Sequence, residues 1–569
     1  MKSTFDLPYR EAVEEAGSSR RAFLKASLVG SLATAAAGVP IIGEGTGALP
    51  EENTRTSSLI SIVNAAPSAP LQNPWKSTIS TGYAPLLLRA DLQQHLAILQ
   101  REIGYIYCRF HGIFHDDMGV VARREDGSLA FRWAQVDQLF DALRRLGLRP
   151  RVELSSMPVA LASGTATIFD WGFNVTPPRD YGEWGQLVGA FARHCLERYG
   201  LDEIAQWFFE VWNEPNIDFW TGSQQDYWKL YDVSAIALKA VSPRLRVGGP
   251  VSAHAGWVAE MIAHCSTQGV PLDFISTHIY PQDEFHQYPG LRESPYKPGT
   301  FIADIVRGVR ETVRRSAMPN LEVHITEWNS LVPLPNGEIL WNHNPSVDNA
   351  AAAATVCDIA LTIDGDCSVF CWWDASDVFE ESGMPQNEFS GTYGLLTLNG
   401  LPKATFNAFR FLNRLRGGRL ELQHEPLAPG CNLVATTEGD SLCVLLWYRD
   451  LLAYGVGGQQ PWKDILNIPW TESAKPILFA ERITPGAGSC YETWKSLGTP
   501  QNLSPAERRL LEAHSVPEAR LFQPELQNGR IHQPFQLSPG EVLYLELRPQ
   551  GALAMDSGRK SWQCEPAGR

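Results

Sequence analysis

The chain has 569 residues, a mass of 63.1 kDa, 44% hydrophobic and 20% charged residues, enough to bury a large core and unlike a disordered or collagen-like composition. Its net charge of -15 excludes a surface built to neutralise phosphates, so nucleic acid is not an expected partner. Ten cysteines run from Cys108 to Cys564 without a C-x-x-C pair, which sets aside a zinc framework or a dense disulfide scaffold and leaves mainly isolated buried thiols.

The amino-terminal segment reads Ser19-Arg20-Arg21-Ala22-Phe23-Leu24-Lys25 and continues into a small-residue and apolar run, Ala26 to Ile42. This resembles a bacterial twin-arginine export signal, and the run is too short and too rich in Gly and Ala for a membrane span. The expectation is export to the periplasm or beyond by the twin-arginine machinery, with no stable membrane span in the mature chain. Gly43 to Pro74 reads as a linker without a core of its own, so residues 1–74 form a signal-and-linker region.

From 75 to 415, short β-branched and aromatic runs alternate with amphipathic segments, the pattern of repeated β-α units on a parallel sheet. Eight strands are predicted, near Ser77 to Tyr83, Tyr105 to Phe110, Arg149 to Leu154, Trp207 to Trp212, Leu245 to Gly248, Phe274 to His278, Val323 to Thr326 and Ser368 to Trp373. Helical patterns fall between them, among them Ala90 to Glu102, Tyr181 to Tyr199 and Phe301 to Arg315. The fold class is α/β, a (β/α)8 TIM barrel. An open doubly wound sheet loses support because the chain has neither a Gly-x-Gly-x-x-Gly after the first strand nor a phosphate loop.

In such a barrel, chemistry belongs at the carboxyl ends of the strands. Strand four ends in Asn213-Glu214-Pro215 and strand seven in Glu327-Trp328-Asn329. Two carboxylates on one rim suit cleavage of a glycosidic bond, where one protonates the leaving oxygen and the other attacks or stabilises the oxocarbenium-like centre. At about 5.5 Å and an effective dielectric near 20, their repulsion is about 3 kcal/mol. That is roughly two pKa units, enough to lift a Glu from about 4.3 to above 6. Esterifying one partner removes the repulsion, so the same acid can serve next as a base.

At these residues the chain resembles clan-A retaining glycosidases, and more closely glycoside hydrolase family 39, the β-xylosidase and α-L-iduronidase family. The resemblance implies that Glu214, in Trp-Asn-Glu-Pro-Asn, is the general acid/base and Glu327, in Ile-Thr-Glu-Trp-Asn, the nucleophile, with Asn213 on the sugar 2-hydroxyl. It extends to Tyr107-Cys108-Arg109-Phe110-His111-Gly112 on strand two and Thr277-His278-Ile279-Tyr280-Pro281 on strand six. These imply Arg109, His111, His278 and Tyr280 as sugar-facing groups; each pair is two apart and shares a strand face. Ser376 to Glu381 resembles the xylosidase loop in which acidic side chains, here Glu380 and Glu381, bind outer hydroxyls, and Phe389 to Leu395 resembles the family's closing segment. Glu210 lies deeper in strand four and reads as a buried, paired structural carboxylate. No metal or cofactor is called for.

Beyond Leu420 the alternation stops, and Leu433 to Thr437, Leu442 to Tyr448 and Glu541 to Leu547 read as antiparallel strands of an accessory β-sandwich spanning 416–550. Ser504 to Ala513 reads as an inserted helix with a Ser504/Glu507 capping box, and 551–569 as a loose tail. The expected activity is that of an exported retaining β-glycosidase acting on an oligosaccharide or glycoside, first of all a β-xylosidase. β-Glucosidase, arabinosidase, exopolysaccharide hydrolase and a catalytically silent sugar-binding protein are the alternatives. Oligomeric state is left open.

Overall fold

The computed structural model describes residues 58–63, 67–281, 300–332, 344–379, 381, 383–452, 458, 460–472 and 474–551. The expected export signal, Glu380, Cys564 and almost all of the expected tail lie outside the described residues. Eight parallel strands close a barrel: Thr78–Tyr83, Tyr107–His111, Arg149–Leu154, Phe208–Val211, Arg246–Ser252, Phe274–His278, Glu322–Trp328 and Val369–Trp372. Helices pack outside it, and Ala404–Arg414, which the sequence reading did not single out, follows the eighth strand. Among the described residues no helix is long and apolar enough to cross a membrane. The nine described cysteines are buried and free.

The barrel interior departs from the usual filling of branched aliphatic side chains. Register pairs Arg109 with Arg151 and Glu153 with Glu210, so that a layer of carboxylates lies two residues beyond a layer of cations, within reach of the long arginine side chains. Arg109 donates to Glu210 and Glu153, each at 2.7 Å. Arg151 reaches Glu210 at 3.4 Å and lies 4.1 Å from the centre of the Phe208 ring. Charges this deep persist only when paired, and these are.

A second body consists of two sheets. One orders Leu422–Gln423, Ser58–Ile62, Trp462–Pro469, Arg530–Leu537 and Leu526–Gln527; the other is six-stranded and centres on Ser441–Tyr448 and Val542–Pro549. Ile60, Ile62, Val444, Leu446, Leu466, Ile468 and Leu545 fill the space between them. Ser58–Ile62 corrects the expectation of a coreless linker up to residue 74. It pairs in parallel with Trp462–Pro469, Ser58 opposite Asp464, and buries alternate residues Ile60 and Ile62 in the sandwich core. The capped helix Pro505–His514 lies between sandwich strands, with the Ser504/Glu507 capping box present.

The sandwich is tied to the barrel's helices by polar contacts. Asp358 accepts from Trp447 Nε1 at 2.9 Å and Arg449 Nη1 at 3.0 Å. Asn407 Nδ2 donates to the carbonyls of Gly488 and Ser515.

Candidate active site

The turn that follows strand four is bent into shape at a cost. Trp212 has φ 71 and Glu214 φ 45, left-handed conformations worth about 1–3 kcal/mol each in a residue with a side chain. The surroundings hold them there. Trp212 is fully buried, packs edge-on against Phe173 and Trp220, and donates Nε1 to the Phe219 carbonyl at 2.8 Å. Glu214 donates its backbone N–H to the Val251 carbonyl at 2.8 Å. Asn216 then clasps Ala253 from both sides, Nδ2 to its carbonyl and Oδ1 from its N–H, each at 2.9 Å. The fit leaves no room at Gly256, where a β-carbon would stand 2.8 Å from Asn216 Nδ2. The loops after strands four and five are therefore locked to each other, which fixes the Glu214 carboxylate over the barrel mouth.

Glu327 leaves strand seven on the facing side of the same rim. Its Oε1 accepts from Arg109 Nη1 at 2.6 Å, and its Oε2 from the Tyr280 hydroxyl at 2.5 Å. Burial works against the Arg109 charge, but Glu210, Glu153 and Glu327 outweigh it and raise its pKa, so it is a permanent cation. Burial, with Glu327 beside it, raises the Tyr280 phenol as well, so it keeps the proton it donates. A cation on one oxygen and a hydroxyl on the other fix the orientation of this carboxylate.

His278 connects the two acids. Nδ1 is 2.8 Å from Glu214 Oε1 and 3.4 Å from Glu327 Oε2, while Nε2 faces Arg109 Nη2 at 3.4 Å. Burial lowers its pKa to about 4, against the pull of Glu327, so the ring is neutral near pH 7. A guanidinium can only donate, which assigns the lone pair to Nε2 and the hydrogen to Nδ1, pointing at Glu214. One oxygen of each glutamate and a nitrogen of His278 lie within 4.8 Å of one another.

A cavity of about 530 Å³ opens above the acids, lined by His111, Asn213, Glu214, Tyr280, Trp373, Glu381 and Tyr393 among others. Of the expected sugar-facing residues, His111, Asn213, Tyr280 and Glu381 line this space with Glu214 and Glu327. Arg109 and His278 do not: both are fully buried and hold carboxylates instead of lining the cavity. Alternation along a strand reports which residues share a face; it does not report which one reaches the rim. Glu210 is paired with Arg109 and Arg151 as expected.

Glu153 escaped the sequence reading. It accepts from Arg109 at 2.7 Å, His111 Nδ1 at 2.8 Å and Ser155 Oγ at 2.5 Å, and so orients the His111 ring. The signal was present, because Arg151 and Glu153 alternate on strand three as Arg109 and His111 do on strand two.

Glu214, His278 and Glu327 are close enough to bind a metal ion, the one such set among the described residues. The fit is poor. Arg109 and Tyr280 already satisfy both Glu327 oxygens, and the guanidinium at 2.6 Å would repel a cation.

Comparison with known proteins agrees with this geometry. The model of "Glycosyl hydrolases family 39" matches residues 58–532. A beta-xylosidase from Caldicellulosiruptor saccharolyticus is 34% identical over 478 residues, covering 83% of this chain and 95% of its own. One from Geobacillus stearothermophilus is 35% identical over 489 residues, covering 83% and 92%. Among solved structures, the GH39 enzyme from Xanthomonas axonopodis pv. citri superposes with a TM-score of 0.76 at 29% identity, covering 88% of this chain and all of that one.

Proposed function

We propose that this chain, which belongs to glycosyl hydrolase family 39 and is a glycoside hydrolase, is an exported retaining β-xylosidase that trims xylo-oligosaccharides. The observation that carries the retaining reading is the approach of Glu214 and Glu327, with one oxygen of each carboxylate within 4.8 Å of the other. Retaining enzymes hold their carboxyl groups about 5–5.5 Å apart, whereas inverting ones leave about 6.5–9.5 Å for a water.

The partners divide the labour. Glu327, oriented by Arg109 and Tyr280, attacks the anomeric carbon. Glu214, whose Oε1 accepts from His278, carries a proton to the departing oxygen. Once Glu327 is esterified its charge is gone, and Glu214, now ionised, takes a proton from the incoming water as that water attacks the anomeric carbon and releases Glu327. Asn213, whose Oδ1 is held by Arg109 Nη2 at 3.1 Å, is turned toward the cavity beside the nucleophile, consistent with a hydrogen bond to the 2-hydroxyl.

The xylose assignment is supported by the two beta-xylosidase relatives, matched over nearly their whole lengths. Export is supported by Arg20-Arg21 ahead of an apolar run. A panel of p-nitrophenyl glycosides tests the activity. The β-xyloside should be cleaved fastest; a faster glucoside or arabinoside would replace the sugar, and binding without turnover of any member would make the chain a silent lectin-like protein.

A further inference from the structure

The cavity lining is mixed, polar in part and apolar at the lip beside Glu214. His111, Asn213, Tyr280 and Glu381 offer polar groups to a sugar. On the Glu214 side, where a leaving group protonated by that residue must sit, the loop after strand four presents Ile217 and Phe219, and the loop after strand five presents Ala253. Asp218 and His254 are the polar side chains there among the described residues.

The Phe219 ring is half-buried and braced from behind. Phe169 meets it edge-on at 5.2 Å, Trp171 stacks on Phe169 at 5.6 Å, and Tyr83 stacks on Trp171 at 4.2 Å. This row of rings runs from the end of strand one to the lip. Phe169 itself has φ 57, a left-handed conformation disfavoured for a residue with a side chain. Its neighbour Asp170 donates its N–H to the Glu381 carbonyl at 3.2 Å, which pins the hairpin formed by Thr167–Ile168 and Phe173–Asn174 to the segment after strand eight. An aromatic face kept partly open, beside the acid and backed by three further rings, is a binding surface for something flat and apolar.

Resting on the retaining-glycosidase reading, we infer that this lip is a leaving-group subsite for aromatic or apolar alcohols, with Phe219 as its specificity-determining residue. Substrates then extend beyond xylo-oligosaccharides to β-glycosides of such alcohols. By microscopic reversibility the same surface receives an alcohol acceptor. The acceptor oxygen bonds to the anomeric carbon as the ester bond to Glu327 breaks, the electron pair returns to that carboxylate, and the acceptor proton passes to Glu214.

Partitioning of one glycosyl-enzyme among acceptors reads the lip without interference from leaving-group reactivity. An aryl β-xyloside serves as donor, with methanol, benzyl alcohol or free xylose added at equal concentration, in wild type, Phe219→Ala and Phe219→Leu. The ratio of benzyl to methyl transfer should fall about ten-fold in Phe219→Ala, and less in Phe219→Leu, which keeps an apolar side chain. An unchanged ratio overturns the inference. So does a larger fall for xylose transfer than for benzyl transfer, which would make Phe219 a sugar platform. Failure of the wild type to cleave the donor would instead sink the β-xylosidase reading, so the two failures are distinct.

Discussion

Two buried clusters of charge lie near the carboxyl end of this barrel, and only one is a site. In the first, Arg109 holds Glu153, Glu210 and Glu327. In the second, Lys403 holds Asp348 at 2.6 Å and Asp377 at 2.7 Å, and donates to the Thr392 carbonyl at 2.8 Å. Asp348 Oδ2 and Asp377 Oδ1 are taken up by the N–H groups of Gly391 and Gly394, each at 2.8 Å. Packing at Gly394 is so close that a β-carbon would lie 2.2 Å from Asp377 N. The Lys403 cluster therefore buckles the segment after strand eight to itself. The Arg109 cluster ends in Glu327, which lines an open cavity facing a second acid. Buried charge alone does not mark function; access and an opposed carboxylate do.

The sharpest break in that comparison is catalytic. Glu327→Ala should lower kcat by roughly four orders of magnitude or more while leaving thermal stability near wild type, measured on an aryl xyloside. Glu214→Ala should lose less, and least on substrates whose leaving groups need no proton. Substantial activity in Glu327→Ala would remove the distinction between the clusters.

Lys403→Met should do the reverse. It strands two buried carboxyl groups and should cost about 3–5 kcal/mol of stability, seen as a lower midpoint in urea. The folded fraction should turn over substrate within a few-fold of wild type.

The smallest effect concerns pH. Burial lowers His278 and His324 to about 4. Between about 6.5 and 4 the unfolded chain takes up protons that the folded one refuses, so these groups make stability fall as pH falls through that window. Burial pushes Asp377 the other way, up to about 7 against the pull of Lys403, so its contribution falls as pH rises from about 3.9 to 7. Removing this opposing contribution in Asp377→Asn should steepen the rise of Tm with pH between 4 and 6.5. An unchanged slope would mean that Asp377 does not hold its proton in the folded state.

Much of this architecture was legible beforehand. Arg149–Leu154, Phe274–His278, Ala90–Glu102 and Phe301–Arg315 are where hydrophobic periodicity placed them. The acids at the ends of strands four and seven were legible because a parallel barrel sends strand ends to one rim. What stayed hidden was non-local. Ser58–Ile62 is five residues in a polar stretch, and its partner strand lies some four hundred positions away. Burial within the barrel was hidden too: Arg109 and His278 are fully enclosed, and Glu153 becomes meaningful only when register sets it beside Glu210 and within reach of His111. The Phe219 lip depends on a hairpin after strand three meeting loops after strands four and eight, which no local pattern encodes.

The central claim is that Glu214 and Glu327 work as a close, retaining pair. Proton NMR of the first turnovers on a β-xyloside tests it most directly. The account predicts that β-xylose accumulates first and then mutarotates; α-xylose as the first product would contradict it.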